Sequence, residues 1–165
     1  MLLDLKKAFL VENTTLQFHT EVDMSEANAD VAFEEKTVAA EITVVNRAGL
    51  VEFTAEVGFV CHFDCDRCAA PVSRGFHFQF RHILVQSLSD ESGDDYIEAP
   101  DCQLDTDALL RDDILLALPS KRLCQDSCKG LCPRCGKNWN EGSCGCVLQE
   151  ADPRLAALRK LLSEE

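Results

Sequence analysis

Six of the ten cysteines in this sequence lie in one segment, 124–146, which also contains glycines and basic residues. They are Cys124, Cys128, Cys132, Cys135, Cys144 and Cys146. Within the segment, Cys132 and Cys135 are separated by two residues and followed by Gly136, which is the spacing of a zinc knuckle. In a knuckle the intervening residues form a tight turn that directs both sulfurs at one ion, and the glycine accepts a strained φ. The segment therefore predicts a zinc site that constrains how the rest of the chain folds.

A second pair with the same spacing, Cys65 and Cys68, lies between two predicted strands. A thioredoxin-type redox pair would instead open a helix in a βαβ unit.

The start of the sequence has no signal-peptide pattern, and no apolar run approaches the ~20 residues of a membrane span, so we expect a cytoplasmic protein. Because the cytosol keeps thiols reduced, metal binding explains the cysteines better than the alternative, a disulfide scaffold.

Structural zinc sites have four ligands, so the cysteines can be counted in whole sites. Cys61 continues the buried face of its predicted strand and Cys102 lies alone, which leaves eight cysteines and predicts two zinc ions. One division joins Cys132, Cys135, Cys144 and Cys146 in a local site and gives Cys65, Cys68, Cys124 and Cys128 to the other. The rival division joins Cys65, Cys68, Cys132 and Cys135, and leaves Cys124, Cys128, Cys144 and Cys146. The first is favoured because a local site closes a shorter loop at a lower cost in entropy.

The rest of the sequence predicts an α+β fold. Alternation of apolar and polar residues predicts strands at 15–22, 37–46, 51–61 and 72–85, with a hairpin turn at 46–49. We expect these strands to form a mainly antiparallel β sheet or a partly closed barrel. Residues 86–103 are polar and acidic, and we expect them to form a mobile loop. One amphipathic helix is expected at about 106–118, and Pro119 would end it.

The length allows one domain with a core and a small metal-nucleated appendix. We place a mainly-β domain, including the amphipathic helix, at 1–119. A zinc-binding segment is expected at 120–165, packed on the first part, and it includes a short C-terminal helix with Leu155, Leu158 and Leu162 on one face. Because the first helix ends just before the cysteine segment, its docking on the sheet would deliver Cys124 to a defined place.

The formal net charge of the chain is −13 at pH 7. This charge argues against general nucleic-acid binding, which depends on basic residues that displace counterions. Residues 89–113 hold ten acidic residues and one arginine, a pattern that is typical of a solvated face. The acidic loop from Asp90 to Asp101 could also mimic phosphate toward a basic partner. By contrast, residues 121–138 hold five basic residues and one acidic residue, and the five basic ones are the candidate RNA- or partner-binding residues Lys121, Arg122, Lys129, Arg134 and Lys137.

No catalytic pattern is recognisable: there is no Ser/His/Asp order, no Gly-rich phosphate loop and no His-Glu-x-x-His motif. A catalytic zinc would need an open position and usually a histidine or carboxylate ligand, and only His62 lies near a cysteine pair, where a surface role is the simpler interpretation. We therefore predict no enzymatic activity and no small-molecule substrate. Two alternatives stay open, a redox- or zinc-responsive thiolate switch and a zinc-dependent hydrolase.

Several motifs together resemble the bacterial YceD family, whose members are called large ribosomal RNA subunit accumulation proteins. These motifs are the run from Asp112 to Pro119, Cys128-Lys129-Gly130-Leu131-Cys132-Pro133-Arg134-Cys135-Gly136, the Asn138 and Asn140 pair, Cys144-Gly145-Cys146, and the run from Asp152 to Leu158, with Cys65-Asp66-Arg67-Cys68 upstream. The resemblance implies a cytoplasmic protein, with plastid relatives in plants, that is needed for large-subunit ribosomal RNA to accumulate. It implies no enzymatic activity, and the expected partner is that RNA or a basic ribosomal protein.

Overall fold

A computed structural model describes residues 1–25, 31–87 and 96–146 of the chain. Its helices and strands, in chain order, are β1 (Leu2–Asp4), α1 (Lys6–Leu10), β2 (Thr15–Asp23), β3 (Ala32–Phe33), β4 (Thr37–Arg47), β5 (Leu50–Asp64), β6 (Pro71–Val85), β7 (Tyr96–Glu98), a 3-10 turn (Pro100–Cys102), β8 (Gln103–Asp105) and α2 (Thr106–Ala117). The α+β class with a mainly antiparallel sheet is confirmed.

The main sheet has the strand order β2-β4-β5-β6-β7, and β3 pairs with the far end of β5. The sheet curls into a half-barrel. The four longest strands follow the predicted alternation, because one face is buried and the other is solvated. In β5 the buried positions include Val51, Phe53, Ala55 and Val57. The register places Ala55 opposite Phe80 and Val57 opposite Phe78, so these aromatic rings extend the same inner face.

The predicted hairpin turn joins β4 to β5 through a two-residue loop, Ala48 and Gly49, and Arg47 pairs with Leu50. Both loop residues have positive φ, 53° and 87°, as a type I′ turn requires. The side chain of Asn46, which is 1% exposed, stabilises the turn through two hydrogen bonds. Its side-chain oxygen accepts a 3.0 Å bond from the Gly49 N–H, and its amide donates a 2.7 Å bond to the carbonyl of Ala8 in α1.

The structure corrects the sequence-based prediction at residues 96–103, which were expected to form a loop. Tyr96–Glu98 instead forms β7, which pairs in parallel with β6, and β8 pairs antiparallel with β1. The physical reason is burial, since Ala99 is 0% and Leu104 is 5% exposed. The high acidic content hid this short apolar alternation. Residues 88–95 of the predicted loop lie outside the described residues.

Helix α2 begins and ends where the sequence indicates. Its N-cap is Asp105, whose side chain accepts a bond from the Asp107 N–H, and Leu110 and Ile114 are fully buried. Leu118 is extended, as expected for a residue that precedes proline. The helix is also joined to β6 by a 2.7 Å contact between His82 Nε2 and Asp113 Oδ2. The chain therefore leaves the helix at a fixed point and enters the cysteine segment.

No helix within residues 1–25, 31–87 or 96–146 is long and apolar enough to cross a membrane. The predicted C-terminal helix lies outside the described residues. The proposed division of the chain at residues 119 and 120 stays a prediction.

Candidate metal centres

Four cysteines from distant parts of the chain meet at one end of the sheet, and we call them the clasp cluster: Cys65, Cys68, Cys124 and Cys128. Their sulfurs all lie within 4.8 Å of one another. The Sγ atoms of Cys65 and Cys128 are 3.8 Å apart, and those of Cys68 and Cys124 are 3.6 Å apart. A Zn–S bond of about 2.3 Å gives a tetrahedron with edges of about 3.8 Å. The spacing of the sulfurs therefore fits one tetrahedral metal ion.

The first two sulfurs of the clasp cluster are presented by the connection between β5 and β6, the two longest strands. The Cys65 N–H donates to the Ala70 carbonyl at 2.9 Å, and the Ala69 N–H donates back to the Cys65 carbonyl at 2.8 Å. Ala69 takes a positive φ of 53° to close this turn. Cys65 is 3% and Cys68 is 6% exposed. The hydrogen bonds of the hairpin tip thus hold both sulfurs on one side without the help of a metal ion.

The other two sulfurs are held against this tip by paired hydrogen bonds between Asp66 and Arg122. The Asp66 N–H donates to the Arg122 carbonyl at 2.8 Å, and the Arg122 N–H donates to Asp66 Oδ2 at 2.7 Å. The guanidinium of Arg122 lies 3.4 Å from Asp66 Oδ1. Arg74 on β6 adds a 2.9 Å bond to the carbonyl of Leu123. These contacts position the chain immediately before Cys124.

Beyond Cys128 the chain stays on the hairpin tip through Arg67. The guanidinium of Arg67 donates to the Cys128 carbonyl at 2.8 Å, and its own carbonyl accepts from the Leu131 N–H at 3.2 Å. Gly130 lies between them with φ +76°, and a Cβ at this position would be 3.0 Å from the Arg67 carbonyl oxygen. Glycine is required here by both the backbone angle and the close approach.

A second group of sulfurs, the local cluster, comes from one short stretch: Cys132, Cys135, Cys144 and Cys146. Its sulfurs also lie within 4.8 Å of one another. The predicted knuckle is present, because the Cys132 N–H donates to the Lys137 carbonyl at 2.8 Å and the Gly136 N–H donates to the Cys132 carbonyl at 2.9 Å. Gly136 has φ +73°. Cys132 is buried, whereas Cys135 is exposed, so this cluster is more open to solvent than the clasp cluster.

Side-chain donors aimed at sulfur favour thiolate in both clusters. A bond from the Asn140 amide to Cys128 Sγ lowers the pKa of Cys128, and a bond from the Trp139 indole lowers the pKa of Cys144 to about 6. Burial opposes ionisation of Cys65, but N–H donors from Cys124 and neighbouring residues outweigh it and lower its pKa to about 6. A lowered pKa favours the thiolate form, which is the form that binds metal.

One further sulfur in each cluster shows why a cation suits the cluster. Burial is the largest cause that raises the pKa of Cys124 to about 12, and the bond with Cys135 is the largest cause that raises the pKa of Cys146 to about 12. Four thiolates cannot crowd together unless a positive ion neutralises them, so metal binding must displace the last protons. The donors in each group are sulfur alone, which fits a closed structural site and a thiophilic ion such as zinc.

The structure thus groups the eight cysteines in the first of the two divisions weighed from the sequence. Cys61 and Cys102 belong to neither group and are both buried. Burial raises the pKa of Cys61 to about 11, which is typical of an inert core thiol. The sulfur of Cys102 accepts a 2.9 Å bond from the Gln86 amide.

The five candidate basic residues do not share one environment. Lys121, Lys129, Arg134 and Lys137 are exposed, whereas Arg122 is half-buried and engaged with Asp66. Their role in binding RNA or a partner stays a prediction.

The hydrogen bonds of Asp66, Trp139 and Asn140 were not predicted from the sequence. The only signal was the Asn138 and Asn140 pair, which is part of the family-like motif.

Comparison with known proteins identifies a family whose sequence model covers the cysteine-containing part of the chain. The sequence model of the family described as Large ribosomal RNA subunit accumulation protein YceD matches residues 53–162, which include all eight clustered cysteines. An uncharacterized protein of Bacillus subtilis, YlbN, is 30% identical over 103 residues, covering 61% of this chain and 60% of YlbN.

Two plant proteins carry the family description in their own names, Large ribosomal RNA subunit accumulation protein YCED homolog 1, chloroplastic. The Zea mays protein is 27% identical over 141 residues, covering 66% of this chain and 48% of its own length. The Arabidopsis thaliana protein is 29% identical over 154 residues, covering 75% of this chain and 48% of its own length. This chain therefore spans about half of these plant relatives. No solved structure matches the chain significantly.

Proposed function

Because this chain belongs to the YceD family, we propose that it is a non-enzymatic, zinc-binding factor that supports the accumulation of large-subunit ribosomal RNA. The observation that carries the proposal is the family match over residues 53–162, which contains both thiolate clusters. The B. subtilis relative matches 61% of this chain, and the plant relatives are named as chloroplastic. We propose a cytoplasmic location for this chain.

The metal proposed is zinc, with one ion in each cluster. All-sulfur groups with tetrahedral spacing are the usual structural zinc sites. In the clasp cluster, the ion would join the β5–β6 tip to the segment that leaves α2. In the local cluster, the ion would hold the knuckle to Cys144 and Cys146. The chemistry that zinc supplies here is cross-linking, and four thiolate ligands leave no open position for a substrate or a reactive water. This ligand set supports a non-enzymatic role.

The proposed contact surface consists of the exposed basic residues that the two clusters hold in place, Lys121, Lys129, Arg134 and Lys137. A chain of net charge −13 is repelled by RNA overall, so binding would depend on a local basic surface close to the RNA. The exposed acidic residues, such as Asp101, would in turn favour contact with a basic ribosomal protein. Both contacts are consistent with a factor that acts on a forming ribosomal particle.

The function is tested by replacing the native gene with variants and measuring the ratio of large- to small-subunit ribosomal RNA. We expect the wild-type gene to maintain this ratio, and the Cys65→Ser, Cys68→Ser variant to lower it at equal protein level. Pull-down from extract with and without a zinc chelator then identifies the partner and shows whether metal shapes the binding surface. An unchanged ratio in a complete deletion would reject the proposed function.

A second candidate function, a redox-responsive switch, is favoured by one observation, the exposure of Cys135 in the local cluster. Two thiolates, one peroxide molecule and two protons would give one disulfide and two waters, with release of the metal. Zinc release at low peroxide concentration that is reversed by a thiol reductant would support this function. Resistance of both metal ions under the same conditions would remove it.

A further inference from the structure

The turn formed by Asn138, Trp139 and Asn140 lies between the two clusters and contacts a sulfur in each. The Asn140 side-chain amide donates a 3.2 Å bond to Cys128 Sγ in the clasp cluster. The Trp139 indole Nε1 donates a 3.3 Å bond to Cys144 Sγ in the local cluster. Two consecutive residues in the loop of the local cluster thus donate hydrogen bonds to sulfurs of different clusters.

The orientation of the Asn140 amide follows from its other partner. Its side-chain oxygen accepts a 2.8 Å bond from the Lys129 N–H. A backbone N–H can only donate, so the oxygen of Asn140 must face Lys129 and its NH2 group must face the sulfur. The same NH2 group also donates to Asn138 Oδ1 at 2.9 Å. The amide is therefore fixed as a donor to Cys128.

The turn is held by backbone bonds to the chain between the two clusters and by the Trp139 indole to the local cluster. Leu131 pairs with Asn138 in an antiparallel bridge, and the Trp139 N–H donates to the Gly130 carbonyl at 2.9 Å. The same small hairpin contains the knuckle, while Trp139 reaches Cys144 at its far side. A metal ion joining Cys132 and Cys135 to Cys144 and Cys146 would close the loop in which Asn140 lies. Filling the local cluster would therefore fix the donor that Cys128 uses.

We propose that Asn140 couples the two metal centres, so that a metal ion in the local cluster strengthens metal binding in the clasp cluster. An N–H donor to a metal-bound thiolate stabilises its negative charge. Loss of such a bond typically lowers metal affinity about 10- to 100-fold. The order of filling follows from chain length, because the local cluster closes a short loop while Cys68 and Cys124 are 56 positions apart.

This inference rests on the proposed metal binding, and a titration of the 165-residue chain with Zn2+ against a chromophoric chelator tests both. The affinity that disappears in Cys65→Ser, Cys68→Ser identifies the clasp cluster. We expect Cys135→Ser, Cys146→Ser, which disables the local cluster, to weaken the clasp affinity about 10- to 100-fold. Asn140→Ala should cause a similar loss, and the combined variant should lose no more than either alone.

Two further variants make the test specific. Asn140→Asp keeps an oxygen for the Lys129 N–H but turns a carboxylate oxygen toward Cys128, so it should weaken the clasp cluster more than Asn140→Ala does. Glu141→Gln, an exposed neighbour, is the control and should leave both affinities unchanged. Absence of any zinc binding by the wild-type chain would reject the metal centres themselves. Zinc binding that is unaffected by Asn140→Ala, or losses that multiply in the combined variant, would overturn the coupling alone.

Discussion

Cys68 and Cys124 are 56 positions apart in the sequence, yet their sulfurs lie 3.6 Å apart. The first belongs to the tip between β5 and β6, and the second follows the helix that packs on the same sheet. This contact joins the cysteine segment to the tip between β5 and β6. Three of the four clasp cysteines are buried and Cys124 is partly buried, whereas Cys135 of the local cluster is exposed.

The two clusters should differ in what they contribute to folding stability. At free zinc about 100 times Kd, loss of one site removes about 2.7 kcal/mol from the free energy of unfolding. We expect Cys65→Ser, Cys68→Ser to show this loss in urea unfolding followed by β-sheet circular dichroism. Cys135→Ser, Cys146→Ser should lose less in the same assay, because the clasp cluster keeps its four cysteines and still binds zinc, although more weakly. Equal losses would show that the clasp is no more important to the sheet than the local cluster.

The Asp66 and Arg122 contact should stabilise the clasp through its backbone hydrogen bond more than through its charges. Asp66→Ala removes the acceptor of the Arg122 N–H and should cost about 1 kcal/mol in urea unfolding. Asp66→Asn keeps an acceptor oxygen and loses only a partly exposed ion pair, so its cost should be about half or less. Asp126→Ala, which changes an exposed acidic residue of the cysteine segment, is the control for charge. A larger cost for Asp66→Asn than for Asp66→Ala would contradict this account.

Three glycines of the cysteine segment separate steric crowding from backbone strain. Gly130 has φ +76° and would place a Cβ 3.0 Å from the Arg67 carbonyl, Gly136 has φ +73° with open space, and Gly145 has neither constraint. Gly136→Ala should therefore cost about 1 kcal/mol for the left-handed φ alone. Gly130→Ala should cost more than that, and Gly145→Ala should be close to neutral. Urea midpoints of the three variants give the order directly, and a Gly130→Ala protein as stable as Gly145→Ala would contradict the observed close approach.

Much of this arrangement could be predicted from the sequence, because it depends on spacing. The four-ligand rule and the cost of closing loops selected the observed grouping of Cys65 and Cys68 with Cys124 and Cys128. The polar contacts could not be predicted, since Asp66 and Asn140 look like ordinary loop residues until the fold places their partners. Strands β7 and β8 have three residues each, which is too short for an alternation pattern to be recognised.

If the basic surface contacts RNA, charge reversal at two of its exposed residues should weaken binding and its salt dependence together. Lys129→Glu with Arg134→Glu should reduce the slope of log affinity against log salt by about 2, one unit for each basic side chain that no longer neutralises a phosphate. The measurement is filter binding to large-subunit RNA at several salt concentrations. Lys6→Glu with Lys36→Glu makes the same change in net charge at exposed positions of α1 and the segment before β4, and should have a smaller effect. Equal effects of the two pairs would assign the weaker binding to overall charge.

The metal content of the purified chain decides whether the eight cysteines form two separate metal sites. Native mass spectrometry with elemental analysis should give two zinc ions for the wild-type chain and for Cys61→Ala. It should give one for Cys65→Ser, Cys68→Ser, one for Cys135→Ser, Cys146→Ser, and none when the two sets are combined. Retention of both zinc ions by Cys65→Ser, Cys68→Ser, or a wild-type chain that binds none, would contradict the account.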